Sequence, residues 1–172
     1  MPTEISGATG VNKVQTDAIE HLDLPSGSVL QVVRGTTSTN VAVTSNTPVS
    51  IGLSATITPK ATSSKILIMF GVAGLVTDST ADRGFALAVF RGSTSLQQAG
   101  SDYADGYLYM PASTSSQQYM SRSSGDYLDS PNTTSSTTYS IYGSTYSSRS
   151  VDLNAGNSIS HITLMEIAGW VQ

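Results

Sequence analysis

The chain has no cysteine and a single tryptophan among its 172 residues. Without cysteine there is no disulfide, no thiolate nucleophile and no zinc–thiolate site. Charge is scarce as well: Asp, Glu, Lys and Arg make up 12%, about half the usual share of a soluble domain. The eight basic residues, Lys13, Arg34, Lys60, Lys65, Arg83, Arg91, Arg122 and Arg149, are scattered through a chain of net charge −4. No basic stripe can neutralise a phosphate backbone, so nucleic acid is not an expected partner. No apolar run reaches the roughly 20 residues of a membrane-spanning helix, and membrane insertion is not expected. The first residues, MPTEISGATG, match neither a signal peptide nor a transit peptide. On that reading, a protein working outside a cell would leave it by lysis or inside a particle.

Catalytic motifs are missing too. There is no GxSxG elbow, no GxxxxGK loop, no GxGxxG after a strand and no HExxH, so no cofactor and no metal site are expected. The two histidines are His21 near the start and His161 in the last strand, where an ordinary sheet position suffices. Acidic pairs suited to glycan cleavage, Asp78 with Asp82, Asp102 with Asp105 and Asp126 with Asp129, fall in polar stretches where aspartate stabilises turns. DYADG lacks the pattern of a calcium loop. The protein reads as a non-enzyme.

What is present is serine, threonine, glycine and a 38% hydrophobic share, enough for one core. A hydroxyl-rich surface with β propensity suits an extracellular or particle-bound β protein better than a cytosolic enzyme. Residues 1–27 stand apart. Val14, Ala18, Ile19 and Leu22 fall at roughly helical spacing between glycine-rich turns, which favours a short-helical or extended docking arm over the alternative of a frayed terminal tail. A helix this short forms no core of its own.

From residue 28 the pattern is strand and turn. SVLQVVR alternates and GTTSTN reads as a polar turn. In VSIGLSATIT, Ile51, Leu53, Ala55 and Ile57 share one face. KILIMFGVAGLV and GFALAVFRG are apolar on both faces, so something must cover each side of them. For Ile66–Phe70 one cover is the core, and the other is a second sheet layer or a neighbouring subunit. Short strands are predicted near 107–110, 117–122 and 126–129, a strand ending abruptly at Gly143, and a strong last strand from Ile159 to Ala168. About eight strands with turn-bounded spacing predict an all-β fold, an antiparallel β-sandwich of jelly-roll or knob-like type spanning 28–172.

Two groups of side chains invite a role. Glu166 shares its strand face with Ile162, Leu164 and Ala168, so it is predicted to be a buried structural carboxylate paired with Lys65, Arg34 or Arg91. Tyr103, Tyr107, Tyr109, Tyr119 and Tyr127 punctuate a Tyr/Ser/Thr-rich loop region at about 101–150. Aromatic rings stack on sugar faces, which makes this region the candidate recognition surface. The bland alternative is that the tyrosines shield loops or line a subunit interface.

Read together, SGSVLQVVRGTTST, IGLSATITPKATSSKILIMFGVAG, FALAVFRGSTSLQQAG and ITLMEIAGW resemble a domain of structural proteins from tailed bacteriophages, often those of cyanobacteria and marine bacteria. The likeness covers most of 11–170 and is weakest over 101–150. It implies a virion location, with assembly in the host cytoplasm, a homotrimer, and major capsid or tail proteins as partners. The short stretch before the domain favours a head decoration (cement) protein or a short fibre or knob. The rival expectation is a receptor-binding tail fibre tip that recognises a host surface glycan.

Overall fold

The structure is a computed structural model that describes residues 24–77, 82–97, 108–112 and 118–169. Eleven strands carry it: β1 (Val29–Thr37), β2 (Val41–Val43), β3 (Val49–Ile57), β4 (Lys65–Thr77), β5 (Arg83–Arg91), β6 (Thr94–Gln97), β7 (Leu108–Met110), β8 (Gln118–Asp129), β9 (Thr137–Thr145), β10 (Val151–Leu153) and β11 (Ser160–Ile167). They form two antiparallel sheets packed face to face, an all-β sandwich. The larger sheet runs β1-β11-β4-β10-β2, with β8 on the far side of β4, and the smaller runs β3-β9-β5-β6, with β7 also on β5.

The eight principal strands pair as β1 with β11, β3 with β9, β4 with β8 and β5 with β6. That nested pairing is one long ladder, first strand with last, rolled up so that alternate rungs land in opposite sheets. It is the double Greek key of a jelly roll. The roll closes where Gly27 N donates to Ala168 O and Ala168 N donates to Ser28 O, each at 2.8 Å, and Ser26 Oγ donates to Gly169 O.

Alternation built the core. Ile51, Leu53 and Ile57 of β3, Phe85, Leu87 and Val89 of β5, and Ile162 and Leu164 of β11 face inward and are buried together. The polar alternates of β3 point out, as a half-wet strand requires.

Four expectations change. The bacteriophage resemblance implies a hairpin of the GLSATITP and SSKILI strands, which the structure does not form. β3 pairs with β9 while β4 pairs with β11 and β8, so the PKATSS link crosses between sheets. GTTSTN is not wholly a turn, because β1 runs on through Gly35, Thr36 and Thr37 opposite β11. The strands predicted at 117–122 and 126–129 are one strand, β8, paired with β4 from Thr77–Gln118 to Ile66–Asp129. SRSSGD looks like a turn by propensity, but a 13-residue neighbour offers a full ladder to it. Gly125 is needed there: a Cβ would stand 2.7 Å from the Phe70 ring. Likewise β9 passes through Gly143 without ending, with Leu153 filling the space a side chain would take, 2.4 Å away. The stretch from 101 to 150 therefore holds β7, β8 and β9 besides its loops. The short strands β2, β6 and β10 were not anticipated.

Two polar clusters join the layers. Asp129, nearly buried at the end of β8, accepts from Arg91 Nη1 at 2.7 and 2.9 Å and from Tyr139 Oη at 2.7 Å. Arg91 and Tyr139 belong to the opposite sheet, so this cluster ties the sheets at one edge. Burial, then the bond to Asp129, pushes the Tyr139 hydroxyl well above the usual tyrosine range. Asn154 is the second cluster. Fully buried, it donates to Thr39 O at 3.0 Å and Ile51 O at 2.9 Å, and its N–H meets Ala73 O at 2.7 Å.

Candidate assembly surface

The two-sided strand β4 poses the functional question, since its inner residues Ile66, Ile68, Phe70, Val72 and Val76 all reach the core. Its outer side divides in two. Over Gly71, Ala73 and Leu75, side chains of β8 arch across. Arg122 donates to Ile159 O at 2.9 Å, and the end of Met120 rests against Gly156, 2.7 Å from where a Cβ would stand. Over Leu67 and Met69 no element of the described residues lies on top, and both are half-buried only by their neighbours.

Register then lines up those neighbours. Val32 lies opposite Met165, Met165 opposite Leu67, and Leu67 opposite Leu128. The result is an apolar row across four strands on the outer face of the larger sheet. Val32 and Leu128, at its ends, are 55% and 54% exposed. The adjacent row reads Arg34, Thr163, Met69, Asp126 by the same pairings. Met69, Leu67, Ser124, Gly125 and Asp126 line a shallow groove within it. On the other flank, Val29 pairs with Ile167 and is 52% exposed. Single exposed apolar residues need no explanation, but a contiguous row in register does.

The charges around this face are few. Arg34 and Asp126 are exposed, and their side chains take part in no hydrogen bond or ion pair among the described residues. His161 lies beside Gly71, with Arg122 Nη1 3.5 Å from its Nδ1. Its partial burial, then Arg34 and Arg122, hold its ring below the usual histidine range.

Glu166 lies on the other face of the same sheet and is fully buried. Its carboxylate accepts from Gln31 Nε2 at 2.5 Å, the Lys60 backbone N–H at 2.6 Å and Ser64 Oγ at 2.6 Å. The donors are neutral, in place of the predicted cations. Arg91 is held by Asp129, Lys65 Nζ reaches Ser130 Oγ at 2.7 Å, and Arg34 points to the outer face. Three donors compensate a buried carboxylate without a second buried charge. Glu166 thereby pins the PKATSS crossover to β1 and β11.

The described tyrosines differ in their surroundings. Tyr127 is half-buried and packs against the core, whereas Tyr109 and Tyr119 are 42% and 47% exposed. Tyr109 stands edge-on to Tyr146 and donates to Asp82 at 2.7 Å. That bond, with the Ala112 N–H, holds the Asp82 carboxyl below the usual range. Tyr103, Tyr107 and the arm residues Val14, Ala18, Ile19 and Leu22 lie outside the described residues. Asp126 and Asp129, three apart on one strand, face opposite sides of the sheet and cannot act as a carboxylate pair. Among the described residues no group of three or more His, Cys, Asp or Glu could hold a metal ion.

Sequence reasoning found the two-sided strand but not the row. Val32, Met165 and Leu128 become neighbours of Leu67 only through pairing partners from both ends of the chain. The sequence singles out Arg34 and Asp126 for other roles, as a candidate partner of Glu166 and as half of an acidic pair, and nothing in it places them in one row.

No family profile matches the chain, and no curated protein is similar to it in sequence. Among solved structures it is similar to the D431N mutant VP2 protein of infectious bursal disease virus, from derived T=1 particles. That likeness has a TM-score of 0.30 and 12% identity, over 81% of this chain and 40% of the VP2 chain. It is too distant to bear on function. The chain thus spans less than half the length of the VP2 chain it matches.

Proposed function

We propose that this chain is a non-enzymatic structural protein of a tailed-bacteriophage virion, a jelly-roll module that works by being buried in an assembly. The observation that carries the reading is the open apolar row Val32, Met165, Leu67, Leu128 on the outside of the larger sheet. A strand apolar on both sides, with one side uncovered among the described residues, is built for a partner. The sequence resemblance supplies the setting: a homotrimer held by its sandwich and attached through the N-terminal arm, as a head decoration (cement) protein or short fibre or knob. Jelly rolls serve as viral capsid and lectin domains, a fold-level analogy that agrees with this setting without deciding it. Binding to assembled subunits strengthens a particle by mass action, with no chemistry required.

The test is particle composition. Purified virions should contain the protein, gold-labelled antibody should place it on head or tail, and removing residues 1–23 should abolish attachment while the sandwich still folds. A protein found only free in the lysate would overturn the reading. The exposed rings of Tyr109 and Tyr119 favour one second reading, a fibre tip that binds a host surface glycan. Specific adsorption of the isolated protein to host cells, lost on replacing both tyrosines, would mark that case.

A further inference from the structure

The ends of the outer row next to the apolar one carry opposite charges. Arg34 sits on β1 at one side, Asp126 on β8 at the other, with Thr163 and Met69 between. Both are exposed and unengaged among the described residues. This layout is complementary to itself. Let a two-fold axis run parallel to the strands, above the boundary between β11 and β4. The axis places β1 of one copy over β8 of the other, and β11 over β4. Arg34 then faces Asp126 of the second copy, twice. Val32 faces Leu128, Met165 faces Leu67, and His161 faces Gly71. Within the Val32 and Arg34 rows no like charges are set against each other; Arg122, whose Nη1 lies 3.4 Å from Gly71 O, marks the end of the paired area, near the axis.

We infer that the outer face of the larger sheet pairs with the same face of a second copy of this chain about such an axis. Sheets stacked face to face lie about 10 Å apart, a gap that an arginine and an aspartate can bridge together. The flexible Met165 and the Arg34 stem of one copy come down on the groove between Leu67, Met69 and Asp126 of the other. An interface of this kind is isologous and closes at two copies. Its plane spans four strands by about seven residues, roughly 400 Å² per copy from strand spacing and rise. A standard interface buries about 800 Å² per partner, so the pair is weak in dilute solution and forms fully where copies are crowded together. In a trimer, the contact would join one trimer to another. The inference rests on reading this face as an assembly surface, and its partner is the new element.

A charge swap tests it. The full-length chain is followed by light scattering and sedimentation over a concentration series. The wild type should reach a species with an even number of chains. Arg34→Asp or Asp126→Arg alone should weaken that association at least about tenfold, because each puts like charges together at both symmetric contacts. The double variant should recover to within about threefold of wild type. Both side chains are exposed, so melting temperatures should stay at the wild-type value. Leu128→Asp, exposed as well, should break the pair by a different route. A monomer at all concentrations overturns the inference. So does an odd-numbered assembly indifferent to both reversals, or a double variant as weak as the singles. Virions that carry the protein while the swap fails would leave the assembly reading standing and remove only the two-fold contact.

Discussion

Glu166 shows how much a single carboxylate can organise. It gathers a side chain of β1, the backbone of the PKATSS crossover and a serine hydroxyl, joining three segments far apart in sequence. Glu166→Gln replaces one acceptor oxygen with a donor, leaving at least one of those groups facing an N–H. A buried donor so orphaned costs about 1–3 kcal/mol, and the melting temperature should fall by several degrees with the oligomeric state unchanged. Thermal melts of the two proteins check this. Burial of Glu166 was legible from the alternation of β11. Its partners were not, because a crossover that brings backbone N–H groups to a side chain leaves no pattern in the residues themselves.

His161 gives the residue scale its pH dependence. Its ring is held below the unfolded value of about 6.5, so the unfolded chain binds more protons in the window just under that value. The neutral ring therefore favours the fold above pH 6.5, and that contribution is lost as pH falls. Stability of the wild type should drop below pH 6.5 more steeply than that of His161→Gln, measured by denaturation at stepped pH. A titration midpoint at or above 6.5 by NMR would contradict the assignment.

Among the elements, β8 is the instructive one. Both ends of QYMSRSSGDYLD read as short strands, and what carries the strand through the turn-like centre, residues 123–125, is the ladder offered by β4. Strands β3, β4, β5 and β11 were legible because alternation or apolar runs declare them. β2, β6 and β10 are three or four residues long, too short for a period to register. The dependence of β8 on its neighbour has a local test at Gly125. A valine there would drive into the Phe70 ring and cost about 1–3 kcal/mol through overpacking. The loss should appear in chemical denaturation, with amide exchange accelerated along β8 before the rest of the larger sheet.

At the scale of the molecule, the nested ladder makes most contacts long-range, and the outermost rung joins Val29 to Ile167. Such topologies close large loops before they gain contacts, so refolding is expected in the range of milliseconds to seconds. Stopped-flow fluorescence would show it. Submillisecond refolding would be at odds with this topology. The jelly-roll class followed from strand count and spacing, but strand order did not. Two sheets built by rolling one ladder have the same composition as two built by meanders. The outer face of the larger sheet was equally hidden, since it exists only once β1, β11, β4 and β8 lie side by side.

The bonds between Gly27 and Ala168 carry one more consequence. They set the entry and exit of the sandwich on neighbouring strands, about 5 Å apart at one corner. A segment whose two ends meet like this can be spliced into the turn of another protein without prying that turn open. Residues 24–169, grafted into a surface hairpin of an unrelated carrier, should fold as a cassette. The graft would present the apolar sheet face to the side of its own attachment point.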